Sequence, residues 1–92
     1  MNSANERFKL LVEAEGIKLP WLANETGIDR DRWNSVKHSK AKMAASEIEA
    51  LDKIWPDYSY WLATGKELPE AGQISPMTKK AQRNLKTQPK AG

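Results

Sequence analysis

Apolar residues in the first fifteen positions recur at helical spacing, with Ala4, Phe8, Leu11 and Val12 at i, i+4, i+7 and i+8 among polar neighbours. Ser3 followed by Glu6 has the form of a capping box, so the pattern predicts a first helix over 4–15, ended by Gly16. Pro20 suits the first turn of a new helix, where its missing N–H would be unpaired anyway, and a short second helix is expected over 20–26 with Leu22 and Ala23 on its apolar face. Gly27 supplies a turn with φ > 0, and Ile28 plugs it. Asp29 offers an N-cap to a third helix over 30–38, and Trp33 and Val36, three apart, bring that helix back onto the earlier ones.

Met43, Ala44, Ile48, Leu51, Ile54 and Trp55 predict a fourth helix that begins between 44 and 46 and stops at Pro56, with Ser46 and Glu49 as its capping box. Tyr58, Trp61 and Leu62 share one face of a fifth helix, capped by Trp55 or Asp57 and stopped by Gly65. No segment gives a strand signal and no repeat is present, so the expected fold is all-α: a compact five-helix domain over 1–66, then a strap and basic C-terminal tail over 67–92. Pro69 and Gly72 break the strap KELPEAGQIS. Beyond it, Ser75 and Pro76 open an equal alternative to a tail, a sixth helix over 76–87 through Met77, Ala81 and Leu85. Residues 87–92 are expected to be disordered.

Ninety-two residues suffice for one small domain. Without cysteine, neither disulfides nor thiolate metal sites can support it. No apolar run long enough to cross a bilayer occurs, and the expected location is the cytoplasm. The net charge of +3 is unevenly spread. Residues 29–42 hold five bases (Arg30, Arg32, Lys37, Lys40, Lys42) against two acids, residues 43–72 hold six acids against two bases, and residues 73–92 hold five bases and no acid. Positive charge thus gathers on the third helix and at the C-terminal end.

Catalytic chemistry finds little material. His38 is the only histidine and has no cysteine or Ser–Asp set to work with, and no glycine-rich phosphate loop occurs. Asp29 and Asp31, two apart, point to different helix faces and cannot act as an acid–base pair. No enzyme, cofactor or metal is expected. Of the four tryptophans, Trp33, Trp55 and Trp61 fall on apolar faces and read as core, whereas Trp21, beside Lys18, suits either packing on the first helix or an external contact.

The framework Ala23, Gly27, Trp33 and Val36 resembles the helix-turn-helix motif of phage repressor and Cro-like proteins, which carry a small alanine, a glycine four residues later and apolar residues six and nine beyond it. DYSYWLATG at 57–65 is similar to the VDWLLNG ending of many such domains, and the likeness spans roughly residues 4–66. Thr26 stands where that family usually has an apolar residue, Leu19 where a glutamine often holds a phosphate, and Trp33 is larger than the usual Ile or Val. The resemblance implies sequence-specific binding of double-stranded DNA by a phage-like transcriptional repressor acting as a homodimer, associated with the nucleoid. The third helix would enter the major groove with Asp29, Arg30, Asp31, Asn34 and Ser35 at the bases, Arg30 suiting guanine and Asn34 adenine. Lys18, Trp21, Arg32, Lys37, His38, Lys40 and Lys42 would lie at phosphates. The alternative is a protein-binding adaptor that shows an acidic face of Glu47, Glu49, Asp52 and Asp57 to a regulator or polymerase.

Overall fold

Ser3 and Glu6 close the expected capping box, the Ser3 hydroxyl accepting the Glu6 N–H at 3.1 Å while the Glu6 carboxylate accepts the Ser3 N–H at 3.2 Å. From this cap the computed structural model, which describes residues 3–87, runs through six α-helices: α1 (Ala4–Glu15), α2 (Leu19–Thr26), α3 (Arg30–Lys37), α4 (Ala45–Ile54), α5 (Ser59–Thr64) and α6 (Pro76–Thr87). Short 3-10 turns occupy Pro56–Tyr58 and Pro69–Ala71, and among the described residues the only β-type pairing is an isolated bridge between Leu68 and Gln73. The all-α architecture is as the periodicity predicts.

α1 is the central strut. Its Phe8, Leu11 and Val12 enter one core with Leu22 of α2, Trp33 and Val36 of α3, Leu51 of α4, Tyr58, and Trp61 and Leu62 of α5. Phe8 and Trp33 stack with ring centroids 5.1 Å apart. The same strut buries two polar side chains that sequence alone would place on the surface. Arg7 is 6% exposed and donates from Nε to the carbonyl of Leu62 at 3.1 Å, placing a cation at the C-terminal end of α5. Gly65, with φ of 79°, leaves room for it, since a Cβ there would lie 3.1 Å from Arg7 Nη1.

Four local expectations need correction, one of them the cap of α5, which starts from Tyr58 with no side-chain cap and not from Trp55 or Asp57. Asp29 precedes α3 but makes no side-chain cap, so α3 begins without one. α4 is capped two residues earlier than Ser46 and Glu49 suggest, because Glu47 reaches back to accept the Ala44 N–H at 2.6 Å. Trp55 is half-buried, packed against the core and not inside it; its ring meets Trp21 at 6.1 Å, so Trp21 packs at the end of α4.

The strap is ordered by its own contacts. Leu68 and Gln73 exchange backbone hydrogen bonds at 2.8 and 3.0 Å, the Gln73 side chain accepts from the Tyr60 N–H and donates to the Pro56 carbonyl, and the Ile74 N–H donates to the Asp57 carbonyl. Ile74 and Ser75 are buried and Pro76 fully so, which anchors the start of α6. α6 then packs along α1. It is a helix, resolving the alternative that the pattern left open, and Thr87 belongs to it; the rest of the segment expected to be disordered, 88–92, lies outside the described residues.

Candidate nucleic-acid interface

The turn between α2 and α3 is built by one glycine and one hydroxyl. Gly27 takes φ of 73° and its N–H donates to the Ala23 carbonyl at 2.8 Å. Thr26 Oγ1 donates to the Leu22 carbonyl at 2.7 Å and accepts from the Ile28 N–H at 3.2 Å and from the Trp33 indole N–H at 3.1 Å. A single side chain therefore joins the end of α2, the turn and the buried side of α3.

The far end of α3 is held from α1. Asn5, 9% exposed, donates through Nδ2 to the carbonyls of Val36 at 3.0 Å and Ala41 at 2.6 Å, and its Oδ1 accepts the Met43 N–H at 3.1 Å. These bonds fix the loop that carries Lys40 and Lys42. Ser39 turns the chain there with φ of 59°, unusual for a residue with a Cβ, while the N–H groups of Lys40 and Ala41 close on the Ser35 carbonyl.

A third support uses Glu47, which is 4% exposed although its position among charged residues suggested a solvated acid. Its carboxylate takes Arg32 Nε at 2.8 Å and Nη2 at 3.1 Å, a two-point pairing, and Arg32 Nη2 also donates to the Lys42 carbonyl at 2.8 Å. Burial pushes the Glu47 carboxyl up, but the Arg32 guanidinium and the Ala44 N–H outweigh it and hold the group below the usual carboxylate range. Arg32, expected at a phosphate, serves as a brace between α3, the basic loop and α4, with 36% of its side chain still exposed.

The remaining side chains of the expected set divide among a groove beside α3, the basic loop and a separate hollow against α1. Asp29, Arg30, Asp31 and Asn34 are exposed along α3, with Ser35 and Lys37 half-buried. An open groove of about 550 Å³ brings Lys18, Leu19 and Pro20 at the start of α2 together with Arg30, Asp31, Asn34 and Lys37. Trp21, 43% exposed, follows Pro20 directly in the first turn of the same helix. Lys40 and Lys42 are exposed on the adjoining loop. His38 is exposed at the end of α3, its Nδ1 3.0 Å from the Asn34 carbonyl, and lines a separate hollow with Glu6, Lys9 and Glu13 of α1. The two acids on that side set a limit to the basic surface.

The acidic face of the adaptor alternative is broken up. Glu47 is inside, and Asp57 Oδ2 is 2.7 Å from Lys79 Nζ, which leaves Glu49 and Asp52. Among the described residues no three His, Cys, Asp or Glu side chains are grouped to hold a metal ion, and no helix is long and apolar enough to cross a membrane. Asn5, Thr26 and Glu47, which position α3, were not identified from sequence. The available signal was weak: each has ordinary local reasons for its place, Asn5 in a first helical turn, Thr26 at a helix end and Glu47 as a good helix former in a first turn.

No family model matches the chain, and no curated protein does. Among solved structures it is similar to Pf6r from the filamentous phage Pf6 of Pseudomonas aeruginosa PA01, with 36% sequence identity, a TM-score of 0.72, and coverage of 90% of this chain and 96% of that one.

Proposed function

The chain belongs to the family of Pf6r, and from there we propose that it is a small phage-type transcriptional regulator, a repressor, that binds double-stranded DNA in a sequence-specific manner as a homodimer. The observation that supports this most is the division of labour on α3: Trp33 and Val36 are fully buried, Arg32 is braced against Glu47, and Arg30, Asp31 and Asn34 are presented together beside Lys18 and Lys37. The helix is fixed on its inner side from three directions, and its outer side is polar.

In this reading the N-terminal half of α3 enters the major groove. Arg30 pairs with guanine O6 and N7, Asn34 with adenine, and Asp31 accepts from a cytosine amine, with Asp29 and Ser35 at the edges of the site. Lys18, Lys37, Lys40 and Lys42 meet phosphates, joined by the exposed edge of Trp21 and by His38. Arg32 acts from behind, holding the loop that carries Lys42. An eight-residue recognition helix touches too few base pairs to select a site alone, which is why two copies on a two-fold operator, with half-sites about 34 Å apart, complete the proposal.

Electrophoretic shift of a random duplex at low salt, followed by a salt series, tests the DNA contact. About six released counterions give a slope of roughly −5 in log K against log salt. Absence of a shift, or a slope near zero, overturns the reading.

A further inference from the structure

α6 wears its polarity reversed. Lys79 and Arg83 lie on the side of the helix turned to the domain, Lys79 Nζ 2.7 Å from Asp57 Oδ2 and 5.9 Å from the centre of the Tyr58 ring, and Arg83 Nη2 3.8 Å from Glu15 Oε2. Met77, Ala81 and Leu85, at i, i+4 and i+8, lie exposed, Met77 by 42% and Leu85 by 72%. An apolar row on the outer side of a helix contributes nothing to the fold that carries it, and such rows mark contact surfaces.

A second apolar surface lies between α4 and α5. Ile48, Pro56, Tyr60 and Ala63 line a groove of about 630 Å³, and Glu49 and Asp52 edge it. The two surfaces match in chemistry. The row on α6 is flanked by the exposed Lys80, and the groove by two carboxylates. Two α6 rows placed face to face would set Lys80 against Lys80, and two grooves placed face to face would set carboxylate against carboxylate. The helix cannot fill the groove of its own chain while Lys79 and Arg83 hold it on Asp57 and Glu15. It does begin beside that groove, since Gln73, three residues before Pro76, is part of the groove wall.

We propose that α6 of one copy seats its Met77–Ala81–Leu85 row in the α4–α5 groove of a second copy, and that the second copy returns the same contact, closing a two-fold homodimer. The contact rests on the homodimer in the reading above and gives it an interface, whereas DNA binding is not needed for it.

The chain has no cysteine, so the contact can be trapped with introduced ones. Ala63→Cys and Ala81→Cys, both at exposed positions, are prepared separately, one with a size tag, and oxidised alone and mixed, while the parent protein is sedimented over a concentration series. The expected result is a sedimenting dimer and a disulfide that forms at least tenfold more between the two different variants than within either one. A disulfide within Ala81→Cys alone means that two α6 rows face each other. One within Ala63→Cys alone means that two grooves do. Either result, or a sedimenting dimer with no disulfide in any mixture, overturns the interface but leaves the homodimer. A monomer at every concentration overturns both, and failure to shift DNA bears on neither. Lys80→Glu should weaken the dimer at least tenfold and Glu49→Lys in the same chain should restore it, with the helical circular dichroism of each variant unchanged.

Discussion

The indole N–H of Trp33 donates to the hydroxyl of Thr26 at 3.1 Å, seven residues earlier and across the helix-turn-helix corner. Both residues depart from the motif they resemble, one polar where apolar is usual, the other larger than usual. The structure makes them a single departure. A tryptophan fully buried at the root of α3 needs an acceptor for its N–H, and a threonine at the last position of α2 supplies one.

Thr26→Val should therefore cost about 1–3 kcal/mol, because it leaves the indole and the Ile28 N–H groups without that acceptor. Trp33→Phe in the same chain removes one of the two orphans. Urea unfolding of the two single variants and the double variant should give a double cost smaller than the sum by about 1 kcal/mol. Strict additivity would mean that the bond carries no coupling.

The Glu47 carboxyl is held below its ordinary value, so its contribution to stability is present above the unfolded value of about 4.5 and is lost as pH falls through the lower folded value. Glu67 acts in the same direction, lowered by the Thr78 hydroxyl and by Ser75. Melting temperature should be flat from about pH 6 to 5 and drop steeply between about pH 4.5 and 3. Glu47→Gln should start lower and drop less over that interval. A parallel drop in the variant would assign the acid sensitivity to other carboxylates.

What could be read from sequence, and what could not, follows the range of the interaction. Helix limits set by near neighbours, such as Ser3 with Glu6 and Gly27 after Thr26, were legible because capping and turning act within four residues. The exposed set on α3 was also legible, since Trp33 and Val36 fix which side of so short a helix faces in. Arg32 was not, because its partner lies 15 residues on and nothing local separates it from Arg30. Asn5 meets groups 31 to 38 residues away, and an asparagine in a first helical turn has ordinary local reasons to be there. α6 shows the same limit in another form. Its amphipathic pattern is plain, but the pairing of Lys79 with Asp57, 22 residues earlier, puts the charged side inward and reverses the usual inference.

Ser39 holds φ of 59° where glycine would bear no steric penalty. Ser39→Gly keeps the turn and relieves the Cβ strain, at the expense of a more flexible unfolded chain, with a net gain of about 0.5–1 kcal/mol expected in thermal or denaturant unfolding. Ser39→Val should lose more than that. A stabilising valine would show that the turn is not held at positive φ in solution.

Arg30 and Arg32 offer the sharpest separation of reading from folding, since they are two residues apart on one helix and differ in almost nothing but their surroundings. Arg30 is exposed beside Asp31 and Asn34, and its loss removes no packing. Arg30→Ala should leave stability within about 0.5 kcal/mol and cost about 1–3 kcal/mol in discrimination at one base position. Arg32→Ala should do the reverse. It leaves the nearly buried Glu47 carboxylate with only the Ala44 N–H and frees the Lys42 carbonyl, a loss of about 1.5–3 kcal/mol from a small domain. Below its melting temperature, that variant should bind DNA more weakly but keep the parent's preference among sequences, because the loop carrying Lys40 and Lys42 is loosened and the base-facing side chains are not. Melting temperature and affinity for a selected duplex and a scrambled one, measured on both variants, give three numbers apiece with the parent as reference. A stable Arg32→Ala protein that has lost sequence preference would place Arg32 at a base and leave the Glu47 pairing as a resting contact broken on binding.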